Sequence, residues 1–148
     1  MRYSVIFSIL ILFLASCNKN KYNSVPSLKF KSANTSVLRH QQLLVLTLSF
    51  TDAEGDFSVD SSLFVQEKVL NCSRSNSGFK TFYRLPDFPT TKNQDGDIVV
   101  TYGYRTGNVQ IPDPQCSVND TAIFKFVLRD LAHHASDTAV SDKIVIVF

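Results

Sequence analysis

The sequence predicts an all-β fold, a single antiparallel sandwich of about seven strands. Three observations carry that reading. Apolar side chains recur at every second residue, the period of a strand with one buried face. Clusters rich in Asp, Asn, Ser and Gly separate these runs, as at 52–56, 75–78 and 93–96. The chain holds 12 Phe and no Trp, so phenylalanine supplies much of the large buried area a core needs.

The strands are expected at 28–32, 42–50, 62–70, 79–85, 97–104, 121–129 and 143–148. The first is a short edge candidate. In the second, Leu44, Leu46, Leu48 and Phe50 share one face, with Thr47 and Ser49 on the other. Ile98, Val100, Tyr102 and Tyr104 repeat the pattern, as do Phe124, Phe126 and Leu128 against Lys125 and Arg129. Ile144, Ile146 and Phe148 close the chain in the same way. The runs at Leu63–Leu70 and Phe79–Leu85 alternate less strictly. Two alternatives stay open: a helical turn within Ser61–Val69, and an additional strand at Val109–Ile111.

The N-terminus is a different kind of segment. Arg2 supplies a positive charge, and Val5–Leu14 is apolar except for Ser8. As a helix, such a run rises about 15 Å, half of the roughly 30 Å of a bilayer core. This is the pattern of a signal peptide. Leu14-Ala15-Ser16-Cys17 follows at once and resembles the bacterial lipobox. The resemblance implies cleavage before Cys17 and two or three acyl chains on that residue, where one chain alone anchors only marginally. The division is then 1–16 signal peptide, 17–27 lipidated Cys17 and polar tether, and 28–148 the sandwich domain.

Two further segments carry a resemblance. Phe50-Thr51-Asp52-Ala53-Glu54-Gly55-Asp56 looks like an early F-x-D-x-x-G-D segment of small lipoproteins of the Bacteroidetes phylum. Phe126–His133 looks like their late L-x-D-x-A-x-H/N segment. The family is mostly uncharacterised, and the resemblance implies an immunoglobulin-like sandwich. The chain departs from the pattern after Asp130: Leu131-Ala132-His133 stands where those proteins often carry Arg-Ala-Gly.

Two cysteines remain after lipidation. In an oxidising envelope, Cys72 and Cys116 read as a disulfide, with two unpaired thiols as the alternative. Strand parity places both at the same end of the domain. At the opposite end it gathers Asp52, Glu54, Asp56, Asp60, Asp87, Asp95, Asp97, Asp130, Asp137 and Asp142, ten of the chain's 13 acidic residues. Clustered carboxylates repel unless a cation or a basic side chain neutralises them. Ca²⁺ takes six to eight oxygens, mostly carboxylate and carbonyl. Asp52, Glu54, Asp56 and Asp130 are the candidate Ca²⁺ ligands, with Lys19 and Lys21 as part of the balancing charge. The other reading is ordinary turn chemistry, which uses the same residue types.

Other chemistries find less support. Adjacent His133 and His134 point apart on an extended chain, and with His40 they show no metal-ligand spacing. Gly-x-Ser-x-Gly and P-loop motifs are absent, so the chain reads as non-catalytic. A net charge of +2 gives no basic surplus for nucleic acid. Asp120-Thr121-Ala122 and Asp137-Thr138-Ala139 resemble the O-glycosylation acceptor of the same phylum, which makes Thr121 and Thr138 candidates. In that phylum an acidic run after the lipidated Cys usually marks surface export, whereas Asn18-Lys19-Asn20-Lys21 is basic. The expectation is a lipid-anchored outer-membrane protein facing the periplasm. Its expected role is a non-catalytic binding or structural module with an envelope protein partner; an accessory glycan-binding subunit is the alternative.

Overall fold

A computed structural model describes residues 21–57, 62–73, 78–86 and 89–148 of the 148-residue chain. Among them are nine strands: β1 (Ser27–Ala33), β2 (Val37–Leu38), β3 (Leu43–Asp52), β4 (Leu63–Val69), β5 (Lys80–Tyr83), β6 (Gln94–Gly103), β7 (Asp120–Leu128), β8 (Ala139–Val140) and β9 (Ile144–Ile146). They form two sheets. One has the order β1-β3-β6; the other runs β2-β9-β7-β4-β5, with β8 also paired to β7.

The alternating faces set this arrangement. β3 and β6 pair antiparallel over their whole length, which sets Leu44 opposite Tyr102, Leu46 opposite Val100 and Leu48 opposite Ile98. All six side chains are buried. From the second sheet come Leu63 and Val65 on β4, Ala122, Phe124, Phe126 and Leu128 on β7, and Ile144 and Ile146 on β9. These side chains of both sheets belong to one continuous apolar cluster. Tyr102 stacks on Phe124 across it at 5.9 Å between ring centroids, and Phe79 meets Tyr102 edge-on at 5.3 Å. Each fully buried large apolar side chain contributes about 1.5–3 kcal/mol by leaving water.

Seven of the nine strands coincide with the expected runs. The other two, β2 and β8, are two residues long, too short to show a period. β2 pairs parallel with β9, so the second sheet is mixed rather than purely antiparallel. Residues 63–69 form a strand, not a helical turn. Val109–Ile111 yields one parallel bridge, Gly103 to Gln110, and no full strand. Phe148 is 56% exposed, because β9 stops at Ile146.

The β7 edge is completed by side chains where β8 and β9 leave gaps. Leu128 N–H donates to Ser136 Oγ at 3.0 Å, and Phe124 N–H donates to Ser141 Oγ at 2.9 Å. Both serines are buried, and each hydroxyl donates onward to the next residue's carbonyl. Buried backbone donors need such partners.

Candidate cation site at the acidic pole

Asp52 is the last residue of β3, with no exposed surface. Its Oδ2 accepts from the backbone N–H of Glu54 at 3.1 Å and of Gly55 at 2.5 Å, which curls the chain directly after the strand. Gly55 adopts φ +66°, and a Cβ there would collide with the Thr91 carbonyl oxygen and Gln94 Oε1. Glycine is therefore required twice, by conformation and by close approach.

Three oxygens in this turn are buried without a hydrogen-bond partner: Asp52 Oδ1, Asp56 Oδ1 and Gln94 Oε1. Gln94 pairs directly opposite Asp52 in the β3–β6 ladder, and opposed side chains share a face with Cβ atoms about 5 Å apart. Burial pushes the Asp52 carboxyl above the usual carboxylate range, against the Gly55 hydrogen bond, and the charges of Glu54 and Asp56 add to the rise. Burial likewise raises Asp56, with Asp130 and Glu54 adding to it and its own backbone N–H opposing.

The neighbouring connections close around this turn. Leu131 N–H donates to the Asp56 carbonyl at 2.9 Å, and Asn93 N–H donates to the Ala53 carbonyl at 2.8 Å. The loops after β3, β5 and β7 thus meet at one end, as strand parity requires. Asp130 is 2% exposed and already occupied. Its Oδ1 accepts from His134 N–H at 2.7 Å, and its Oδ2 lies 2.8 Å from His134 Nδ1. The same bond to Asp130 raises the His134 imidazole above its ordinary value. His133 takes φ +66°, so a histidine fills a left-handed position that glycine adopts at less cost.

Of the four expected Ca²⁺ ligands, Asp52 and Asp56 each carry a buried oxygen without a partner. Asp130 is engaged by His134, and Glu54 is exposed, its Oε1 accepting from Ser24 Oγ at 3.0 Å. Among the described residues, no group of three or more His, Cys, Asp or Glu side chains is arranged to hold a metal ion. Any cation here needs amide and main-chain oxygens as well. Gln94 escaped sequence reasoning because only the strand register brings it to Asp52. Asp137 and Asp142 flank β8, which pairs with the middle of β7, so they stand away from the strand ends. Asp60 and Asp87 lie outside the described residues.

Residues 21–23, within the segment expected to be a tether, rest on this pole. Lys21 Nζ lies 3.0 Å from Asp95 Oδ2, and Tyr22 donates to Asp95 Oδ1 at 2.8 Å. The Tyr22 hydrogen bond, then Lys21, holds the Asp95 carboxyl below its usual value. Ala53 N–H donates to the Asn23 carbonyl at 3.1 Å. Lys31 pairs with Asp97 at 2.7 Å.

At the other end, Cys72 and Cys116 are joined, with S–S 2.00 Å and Cα atoms 5.9 Å apart. Thr121 lies within β7, half-buried, its N–H bonded to Asn71 Oδ1 at 2.7 Å. Thr138 is exposed just before β8. Cys17 lies outside the described residues. Among those residues, no helix is long and apolar enough to cross a membrane. Between the edges of β5 and β6 runs a mainly apolar groove of about 580 Å³, lined by Phe50, Leu63, Tyr83, Leu85, Ile98 and Val100, and also by Arg84, Asp95 and Asp97.

No family model matches the chain, and no curated protein does. Among solved structures it is similar to the sporulation control protein Spo0M of Bacillus subtilis, at 7% identity and a TM-score of 0.45. The likeness covers 85% of this chain and 51% of that one, so the chain spans about half the length of that neighbour.

Proposed function

We propose that the protein is a membrane-tethered, non-catalytic binding or structural module of the bacterial cell envelope. The lipid sits on Cys17 in the outer membrane, and an immunoglobulin-like sandwich faces the periplasm. The observation that carries this reading is the Cys72–Cys116 bond, which joins cysteines 44 residues apart. Structural disulfides persist in oxidising compartments and are rare in the cytosol. Together with the lipobox at Cys17 it supports export and retention.

The strand order supports the immunoglobulin-like assignment. β1-β3-β6 corresponds to one sheet of such a sandwich, and β9-β7-β4 to the core of the other. Here β5 pairs with β4, which leaves β6 as an edge beside the apolar groove. A mainly apolar lining with a few polar side chains, Arg84, Asp95 and Asp97 among them, is the usual make-up of a binding groove. The glycan-binding alternative draws on Phe64 and exposed Phe82, whose centroids lie 5.0 Å apart. Their rings are inclined by 51°, so they make no flat platform for a sugar, and the first reading is preferred.

The test is fractionation of cells expressing wild type and Cys17→Ala, with thiol alkylation before and after reduction. Wild type should sediment with the outer membrane, resist protease added to intact cells, and expose new thiols at Cys72 and Cys116 only after reduction. Cys17→Ala should be released or remain uncleaved. A soluble, fully reduced wild-type protein would overturn the proposal.

A further inference from the structure

The turn after β3 gathers three acceptor oxygens that the fold leaves without donors. Asp52 is fully buried, yet only its Oδ2 is used, by the N–H groups of Glu54 and Gly55. Asp52 Oδ1, Asp56 Oδ1 and Gln94 Oε1 are buried and unpaired. An ionised carboxylate and an amide carbonyl only accept hydrogen bonds. Leaving such groups unpaired away from water costs about 1–3 kcal/mol each, and more for a charge. Gln94 stands opposite Asp52 in the ladder and Asp56 follows in the same turn, and buried unpaired acceptors call for a donor or a cation.

The oxygens around them are hard and varied. The Thr91 carbonyl oxygen and Gln94 Oε1 both occupy the space a Cβ on Gly55 would need, so these atoms stand on the same side of the turn. Lys21 and Lys31 on this side pair with Asp95 and Asp97, and Lys92 is exposed on the adjoining connection beside Glu54. His134 is spent on Asp130. Two carboxylate oxygens, an amide oxygen and nearby main-chain carbonyls form an oxygen set of the kind Ca²⁺ accepts, with room in its coordination for water. Mg²⁺ demands stricter octahedral geometry and shorter distances.

We infer that this turn binds Ca²⁺, with Asp52 Oδ1, Asp56 Oδ1 and Gln94 Oε1 as its side-chain ligands. The inference stands independently of the tethered-module reading, because it rests on the turn alone. It replaces Glu54 and Asp130 in the expected ligand set by Gln94. The rival arrangements are a buried water that donates to all three oxygens, or a rotated Gln94 amide whose NH₂ faces the carboxylates.

The experiment is thermal unfolding of the full chain, with EDTA, with CaCl₂ and with MgCl₂. Wild type, Asp56→Asn, Gln94→Leu and Asp97→Asn are compared. With Ca²⁺ at a hundredfold excess over Kd, the wild-type midpoint should rise by about 10 °C, and by much less with Mg²⁺. Asp97→Asn should keep the full shift, because Asp97 is exposed and faces Lys31. Asp56→Asn and Gln94→Leu should each lose most of it. If Asp56→Asn fails to fold, Gln94→Leu decides alone, since it removes an oxygen without removing a charge. No shift in wild type, or a full shift in Gln94→Leu, overturns the inference in favour of water or the rotated amide.

Discussion

At one end of the sandwich, Cys72 and Cys116 tie the loop after β4 to the loop before β7. At the other, Asp52, Asp56 and Gln94 sit where three loops meet through hydrogen bonds such as Leu131 N–H to the Asp56 carbonyl, with no disulfide among the described residues. The first end is held by a bond that limits the unfolded chain. The second is held by groups that repel one another until something neutralises them. The N-terminal segment reaches this second end through Lys21 and Tyr22, which bond to Asp95. The two ends should therefore respond to different agents: reductant at one, chelator and ionic conditions at the other.

The largest expected effect breaks the stapled end. Closing a loop of this length stabilises by about 4 kcal/mol in the chain-entropy model. The double variant Cys72→Ala/Cys116→Ala should lose about that much in urea unfolding, with the acidic turn unaffected. Near the same end lies Glu67, 3% exposed within the core, its carboxyl pushed up to about 8 by burial and then by the charge of Asp120. The folded state binds this proton more tightly than the unfolded state. Its contribution to stability is therefore complete below the ordinary glutamate value and declines as pH rises towards 8. Wild type should lose on the order of 3 kcal/mol between pH 5 and 9, and Glu67→Gln should flatten that slope. A Glu67→Gln variant that keeps the wild-type slope would remove Glu67 as the cause.

Smaller effects sharpen the picture at the acidic end. Gly55→Ala forces a Cβ into the Thr91 carbonyl and Gln94 Oε1 at positive φ, and should destabilise by about 1–3 kcal/mol. His133→Gly relieves a left-handed residue of its Cβ, and should stabilise by less than about 1 kcal/mol, net of the entropy glycine adds to the unfolded chain. Both are read from urea midpoints. If His133→Gly instead destabilises, the imidazole makes a contact that outweighs the strain.

The legible part of this molecule was the part with a long period. Leu44 to Phe50, Ile98 to Tyr104 and Phe124 to Leu128 each show three or more alternating apolar positions, and all of them are buried. Strand parity followed from those runs. It put Cys72 and Cys116 at one end, where the structure joins them, and Asp56 and Asp130 at the other, where Leu131 N–H bonds to the Asp56 carbonyl. It survived because residues 109–111 add a single bridge rather than a reversing strand. The parts that escaped are those set by register or by isolated side chains. β2 and β8 are too short to carry a pattern. Gln94 is an ordinary polar residue until the ladder sets it opposite Asp52. The pairing of Asp130 with His134, and of Glu54 with Ser24, depends on loop conformation that no spacing in the sequence specifies.

The most direct test of the two-ended account is amide hydrogen exchange on the same protein under four conditions: untreated, reduced, chelated, and both. The account predicts that reduction speeds exchange at Leu70 and Thr121, whose N–H groups bond across the stapled end. Chelation should speed exchange at Gly55, Asn93 and Leu131, whose N–H groups close the acidic end. Neither treatment alone should open both sets. Simultaneous opening of both ends by either agent would contradict it.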